Sequence, residues 1–148
     1  MPAFDSEKSK GVQIAFNVLD QRMAAVVIPA ADAAGVGVLV RSSLLKGALT
    51  SKAQWLPGPL GRLRTAAERA CDLLAGGSWD ALPAAATRFC LSFPSISSVL
   101  TGAKTTAELD AAVHAESEGP LSDRMLADAA RLALHEEHLL NPSYWPVP

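Results

Sequence analysis

The sequence has only two cysteines, Cys71 and Cys90, and neither belongs to a Cys-x-x-Cys pair or to another spacing typical of a metal site. It also lacks the charged start and apolar middle of a secretory signal. Both absences argue against a disulfide framework and favour reduced thiols. We therefore expect a cytoplasmic protein.

The sequence also lacks an excess of charge of either sign and any long apolar run. It has 13 Lys and Arg against 15 Asp and Glu, a net charge of −2. Binding to nucleic acid needs a basic surface, and a membrane-spanning helix needs ~20 apolar residues. We therefore expect neither a nucleic acid nor a membrane as partner.

His135 and His138 share a predicted helix face, but no third ligand accompanies them, so we expect no metal site.

One stretch organises the rest of the chain. Val36–Val40 is a run of valines with glycine and leucine, and it leads directly into a polar loop that contains Gly47 and Lys52. A buried parallel strand that ends in such a loop delivers backbone N–H groups and positive charge to an anion. Small residues at Ser42, Ser43 and Gly47 let a phosphate approach the backbone. The stretch therefore predicts a phosphate site.

A second strand is predicted upstream, over residues 12–16. Val12, Ile14 and Phe16 fall on one face of this strand, and Gln13 falls on the other. If the apolar set packs under helices, Gln13 lies on the opposite face of the sheet. Its amide offers a donor and an acceptor, so it either binds a ligand there or is satisfied by neighbouring polar groups.

A third strand is predicted over Ser97–Leu100, and it is followed by Gly102 and Lys104. A helix is predicted to begin near Thr106, which places Lys104 at the helix N-terminus. Unpaired N–H groups, the helix dipole and the lysine side chain all favour an anion at this position. The sequence thus predicts a second phosphate site.

Helices are predicted between and after these strands, where apolar residues recur at helical spacing. We expect a mobile tail over residues 1–10, an irregular Pro- and Gly-rich loop over Gln54–Arg64, and one domain over residues 11–148. The predicted helices are Asp20–Ala34 with Asp20 as N-cap and Gly35 as its stop, Thr65–Leu74, a helix from Ser78 or Asp80 to about Ser92, and Leu121–Leu140 with Ser122 as its cap.

These stretches, in this chain order, resemble the carboxyl-terminal part of the aldo/keto reductase family. Arg41–Lys52 is similar to the family's seventh strand and its Ser-Pro-Leu, Gly, Thr-Gly-Lys loop, with serines in place of the proline and the second glycine. Residues 12–21 resemble the sixth strand and its exit. Arg88–Pro94 resembles the helix end before strand eight, and Val99–Thr105 resembles strand eight and its phosphate loop. The resemblance covers roughly Gly11–Leu134.

The resemblance implies an α/β fold of three consecutive parallel βα units, like the last three units of a TIM (β/α)8 barrel. The 148 residues fall short of the roughly 250 of a complete barrel, so the barrel would be incomplete. The resemblance also implies NADP as cofactor. The positions carried over as cofactor-binding are Gln13, Arg41, Ser42, Ser43, Leu44, Gly47, Lys52, Gly102, Lys104, Thr105 and Glu108.

The implied cofactor site is eroded at one end. In the family, the strand-eight loop grips the extra phosphate of NADP with a basic residue, a role that falls here on Lys104 and Thr105. The Gln, Glu and Asn that hold the adenosine in the family are replaced by Glu108, Ala111 and Ala112. We therefore expect NADP binding to be weak or vestigial.

No catalytic residue is assigned to this chain. The family's catalytic Asp, Tyr, Lys and His belong to strands two to four, ahead of anything in this sequence, and the only tyrosine, Tyr144, lies in the tail. The resemblance implies the cofactor-side part of an NADP-dependent carbonyl/alcohol oxidoreductase that is inactive alone. The alternatives are a non-catalytic interaction or regulatory subunit and a decayed gene product.

The resemblance also bears on partners. The first and third strands of such a fragment would each keep one open edge, and open edges bind further strands. We therefore expect the chain to bind a complementary amino-terminal half-barrel or to associate with itself.

Overall fold

The computed structural model describes residues 10–146, which form an α/β fold around one parallel sheet. The strands β1 (Gly11–Ala15), β2 (Gly37–Arg41) and β3 (Ile96–Val99) lie in the order β1-β2-β3. Gly11 is paired with Gly37 at the start of β1 and Ala15 with Arg41 at its end. Three parallel strands are as the sequence predicts, with bounds shifted by one residue. The predicted mobile tail falls largely outside the described residues.

Helices follow each strand. Within residues 10–146, no helix combines the length and the apolar character needed to cross a bilayer. Short 3₁₀ turns lie at Leu45–Gly47, Ser51–Trp55, Gly58–Leu60 and Pro142–Tyr144. The α-helices are α1 (Val27–Ala33), α2 (Gly61–Ala75), α3 (Leu82–Leu91), α4 (Thr106–Ser117), α5 (Asp123–Ala130) and α6 (Glu137–Leu140).

The predicted start of the first helix is wrong. The helix α1 begins at Val27, and Asp20 is not its N-cap, because the Asp20 carboxylate is bonded to Arg22 instead. The chain between Asp20 and Val27 forms turns. The predicted end is confirmed, since Gly35 has a φ of +65° just beyond the last helical turn, a conformation that favours glycine.

The predicted irregular loop over Gln54–Arg64 is also wrong. Two 3₁₀ turns fill its first part, and α2 begins at Gly61, four residues before the predicted helix start. Pro57 and Pro59 fix φ near the helical value, which suits them to such turns and to a helix approach. Similarly, α3 begins at Leu82 without a side-chain cap, although the Ser78 hydroxyl accepts a bond from the Ala81 N–H.

The long predicted last helix is broken into α5 and α6. Its start is confirmed, because the Ser122 hydroxyl accepts a bond from the Met125 N–H at 3.4 Å. The chain leaves the helix after Ala130, and the Leu134 N–H donates to the Leu19 carbonyl at 2.8 Å. A long-range backbone bond therefore replaces a helical one, which local periodicity does not reveal.

An aromatic cluster ties β1 to α3. The rings of Phe16, Phe89 and Phe93 contact one another, with centroids 4.9 to 5.5 Å apart. The Cys90 thiol lies beside them and donates to the Phe16 carbonyl at 3.6 Å. Burial raises the pKa of Cys90 to about 12, so this thiol is neutral and inert near neutral pH. Cys71 is also buried and free.

The two faces of the sheet differ. Ile14, Val38 and Val40 lie on the helix-covered face and are buried. Gln13 and Leu39 lie on the opposite face and are exposed or half-buried, and no second layer covers them within residues 10–146. Gln13 therefore lies on the face that the strand alternation predicts.

Candidate functional site

The carboxyl ends of β1 and β2 lie side by side and open into one cavity. The Phe16 N–H donates to the Arg41 carbonyl at 3.3 Å, just beyond the last paired residues. A cavity of about 330 Å³ lies at this edge of the sheet. Three of the predicted site residues, Gln13, Arg41 and Ser42, line it together.

A buried asparagine joins the two strand exits. Asn17 is 0% exposed, and its amide nitrogen donates to the Ser42 carbonyl at 3.1 Å. Its amide oxygen accepts from the N–H groups of Leu19 and Asp20, both at 2.9 Å. Asn17 therefore fixes the loop after β1 and the loop after β2 in one arrangement. Asn17 was not among the predicted site residues, although a polar residue directly after an apolar strand is a signal for one.

An ion-pair cluster forms another wall of the cavity. The Arg22 guanidinium makes a two-point contact with the buried Asp20 carboxylate, Nε to Oδ1 at 2.8 Å and Nη2 to Oδ2 at 2.9 Å. Its Nη1 also donates to Glu137. The hydrogen bonds to Asp20 and the nearby charges raise the pKa of Arg22 above its ordinary value despite partial burial, so the group stays cationic.

The carboxyl-terminal segment (residues 136–145) packs over the same end of β1. Leu140, Asn141 and Pro142 line the cavity. Glu136 forms an ion pair with Arg62, and hydrogen bonds from backbone N–H groups, with a contribution from Arg62, lower the pKa of the Glu136 carboxyl. The segment is thus held by contacts to the loop after β1 and to the start of α2. Among the described residues, no group of three or more His, Cys, Asp or Glu could hold a metal ion.

The loop after β2 has unusual backbone geometry. Ser42, Leu45 and Lys46 have φ values of 61°, 44° and 52°, in the left-handed region that non-glycine residues rarely adopt. Leu45 is held there because its side chain is buried in the core. The N–H groups of Leu45 and Gly47 already donate within this turn, to the Ser42 and Leu44 carbonyls at 2.9 Å each. Ser43 and Leu44 lie within this loop, Ser43 buried and Leu44 half-buried.

Gly47 closes the loop and meets Lys52. Its φ is +92°, and a Cβ on it would lie 3.3 Å from the Lys52 Cδ. The Thr50 hydroxyl donates to the Gly47 carbonyl at 2.8 Å and accepts from the Lys52 N–H at 3.2 Å. Thr50 therefore holds the Lys52 stem against Gly47, so this cation lies beside the loop.

The start of α4 confirms the predicted helix boundary near Thr106, but a carboxylate already occupies it. The Thr105 hydroxyl caps the helix by accepting from the Glu108 N–H at 3.2 Å. The Glu108 carboxylate accepts from the Lys104 N–H at 2.6 Å. This reciprocal capping places a negative charge at the positive end of the helix dipole. Gly102 and these three residues are exposed and line neither described cavity.

Solved structures of other proteins share this fold. The fold is similar to that of the aldo-keto reductase AKR11C1 from Bacillus halodurans in its holo form, with a TM-score of 0.69 and 22% identity over 88% of this chain. The apo form of that protein gives a TM-score of 0.63 at the same identity. This chain covers 44% and 46% of those chains, less than half their length. A comparison with curated proteins finds no significant match.

A model of the aldo/keto reductase family matches residues 9–133, which is most of the sequence. The matched region includes all three strands, the loop after β2 and the start of α4. The chain therefore belongs to the aldo/keto reductase family.

Proposed function

We propose that this chain is the cofactor-side part of an NADP-dependent aldo/keto reductase, built from the last three βα units of a TIM barrel. The observation that carries the proposal is the cavity that Gln13, Arg41 and Ser42 line together. It lies at the carboxyl ends of the adjacent parallel strands β1 and β2, directly before the loop that contains Gly47. In sheets of parallel strands, ligands bind outside the carboxyl ends of the strands.

The nicotinamide end of the cofactor would lie against the exposed face of the sheet. Gln13 projects on that face, where its amide can pair with a carboxamide through one donor and one acceptor. Arg41 and Ser42 border the same cavity, and their side chains are linked by a 3.3 Å contact from Nη1 to Oγ. The Asn17 amide donates to the Ser42 carbonyl and so fixes the position of Ser42. These residues are suited to orient the ring.

The phosphates would bind at the loop after β2 and at the start of α4. The turn at Ser42–Gly47 would offer only those backbone N–H groups that do not donate within it, and Lys52 would add a cation beside it. Lys104 and Thr105 would take the extra phosphate of NADP. Because the Glu108 carboxylate already accepts from the Lys104 N–H, phosphate must displace it or be repelled by it. This competition between the Glu108 carboxylate and the phosphate would weaken cofactor binding.

We expect NADP⁺ to bind the chain, and we expect Lys52→Ala to weaken binding by about fivefold, since an exposed ion pair contributes up to about 1 kcal/mol. Glu108→Gln should strengthen binding, because it removes the competing negative charge and keeps an amide oxygen for the Lys104 N–H. Isothermal titration calorimetry on the three proteins measures both changes.

The matched control is Arg69→Ala, which removes another exposed cation from the middle of α2, away from the candidate residues. Its affinity for NADP⁺ should equal that of the wild type. Absence of binding at millimolar NADP⁺, or equal losses in Lys52→Ala and Arg69→Ala, would refute the proposed phosphate site.

Carbonyl reduction would need a second contribution. NADPH, if bound, would supply a hydride for the carbonyl carbon, and an acid would have to deliver a proton to the carbonyl oxygen. We propose no described residue as this acid: Tyr144 is exposed and lines neither described cavity, and Asp20 and Glu137, which line the cavity at the strand exits, are ion-paired with Arg22. We propose that another polypeptide segment supplies the acid and its partners.

The chain by itself should therefore not catalyse NADPH-dependent reduction of aldehydes. Losing even one acid–base group typically lowers a rate by about 10²–10⁴. An absorbance assay of NADPH consumption with a panel of aldehydes tests this expectation. Turnover above the background of a heat-denatured sample, especially turnover that Tyr144→Phe removes, would contradict it.

A non-catalytic interaction or regulatory role is the second candidate. The occupied start of α4 and the exposed Ala111 favour it, because both reduce the polar contacts available to an adenosine. This role would be supported if the chain bound a partner protein but bound no NADP⁺ in the calorimetric titration. For either role we propose a cytoplasmic location, supported by two buried cysteines that form no disulfide.

A further inference from the structure

The Arg22 guanidinium has one fixed side and one exchangeable side. Its Nε and Nη2 atoms donate to the Asp20 carboxylate, which is only 2% exposed, at 2.8 and 2.9 Å. Its Nη1 atom donates to Glu137, whose side chain is 55% exposed. Removing one partner of a buried ion pair is costly, whereas an exposed ion pair contributes little to stability. Asp20 therefore fixes the orientation of the guanidinium, and Glu137 can be exchanged for another anion.

The segment that carries Glu137 is held in place by other contacts. Leu139 and Leu140 directly follow it in the same short helix, and both are buried in the core. The Trp145 Nε1 atom donates to the Leu139 carbonyl at 3.1 Å, which fixes the chain beyond the helix. The contact between Glu137 and Arg22 can therefore be lost by a rotation of the Glu137 side chain alone, without release of the segment.

Arg22 and Glu137 both line the cavity of about 330 Å³ at the ends of β1 and β2. The other charged residues that line it are Asp20 and Arg41, so two positive charges face two negative ones. When the Glu137 side chain turns out to solvent, one net positive charge remains. A cavity of this volume admits a small molecule. It then favours a small ligand with a single negative charge, because Asp20 would repel a dianion.

We propose that Arg22 binds the carboxylate of a small ligand, and that the Glu137 carboxylate of the chain itself holds this position until the ligand displaces it. A guanidinium is well suited to a carboxylate, and its Nη1 atom already donates to one here. The class of ligand rests on the proposed function, under which it is a carbonyl substrate. The substrate is therefore a small oxo acid rather than a neutral aldehyde or ketone.

The test uses 2-oxobutanoate as the probe and 2-oxobutanamide as its uncharged counterpart, with no NADP⁺ present. NMR titration of the ¹⁵N-labelled chain should show that the acid binds and shifts the Arg22 Nε–H signal, and that the amide binds at least about tenfold more weakly. Glu137→Gln should bind the acid about fivefold more tightly, because it removes the competing charge of an exposed ion pair. Arg22→Lys keeps a cation for Asp20 but loses the planar fork, so it should bind the acid about tenfold more weakly.

The matched control is Glu136→Gln, which removes the adjacent carboxylate. Glu136 pairs with Arg62 and does not line the cavity, so this variant should bind the acid as the wild type does. The proposal is overturned if the acid does not bind at millimolar concentration, if the acid and the amide bind equally, or if Glu136→Gln and Glu137→Gln have the same effect. If Arg22→Lys does not fold, the two ligands and the two glutamate variants decide the result.

Failure of this proposal and failure of the proposed function give different results. The oxo acid is titrated without cofactor, so its binding does not depend on the NADP⁺ site. Binding of the acid by a chain that binds no NADP⁺ would support the carboxylate site at Arg22 and refute the reductase assignment. Binding of NADP⁺ by a chain that does not distinguish the acid from the amide would do the opposite.

Discussion

Replacing Asn17 with leucine is expected to lower the free energy of unfolding by about 3–5 kcal/mol, since each buried polar group left unpaired costs about 1–3 kcal/mol. The variant leaves the N–H groups of Leu19 and Asp20 without an acceptor, and the Ser42 carbonyl keeps only the Leu45 N–H as donor. Leucine has a similar size, so packing changes little. Urea denaturation followed by circular dichroism measures the loss.

Asn17→Asp separates the two functions of the amide. It keeps an oxygen for the Leu19 and Asp20 N–H groups but loses the donor to the Ser42 carbonyl. We expect Asn17→Asp to lower the free energy of unfolding by less than Asn17→Leu does. We also expect it to weaken NADP⁺ binding, because the amide no longer holds the Ser42 carbonyl. A loss under about 1 kcal/mol for Asn17→Leu would show that the two loops are held by other contacts.

Phe16→Ala is expected to cost about 3–5 kcal/mol of stability, because truncation of a buried aromatic removes apolar contacts and leaves a cavity. Phe16 is fully buried and contacts Phe89 and Phe93. The change therefore removes the ring contacts that join the end of β1 to α3. Thermal and urea unfolding of the same samples provide the measurement.

Two controls bound this result. Phe16→Leu keeps most of the volume and should cost much less than Phe16→Ala. Tyr144→Ala removes an exposed ring and should stay within about 0.5 kcal/mol of the wild type. Equal losses in Phe16→Ala and Phe16→Leu would show that the aromatic cluster is not what joins the strand to the helix.

Features encoded by neighbouring residues could be predicted from the sequence. The alternation of residues 12–16 gave the correct buried face of β1, with Gln13 on the other. Ser122 and Gly35 marked helix boundaries correctly, because caps and left-handed stops act on adjacent backbone groups. The loop spacing from Arg41 to Lys52 supported the family assignment in the same way.

Features encoded by distant residues could not. Asp20 looked like a helix cap, but it pairs with Arg22, two residues away, and Arg22 also pairs with Glu137, 115 residues further along the chain, which no local pattern reveals. The break after Ala130 depends on a backbone bond to Leu19. The competition at Lys104 was also missed, although Thr105 and Glu108 have the spacing of a reciprocal cap.

The most direct test of the cofactor-side assignment is an NMR titration of the ¹⁵N-labelled chain with NADP⁺, which suits a protein of 15.5 kDa. We predict chemical-shift changes concentrated at the amides of Gln13, of the Ser42–Gly47 loop and of Lys104, larger at Lys104 with NADP⁺ than with NAD⁺. Absence of changes at millimolar cofactor, or changes confined to other surfaces of the chain, would contradict the account.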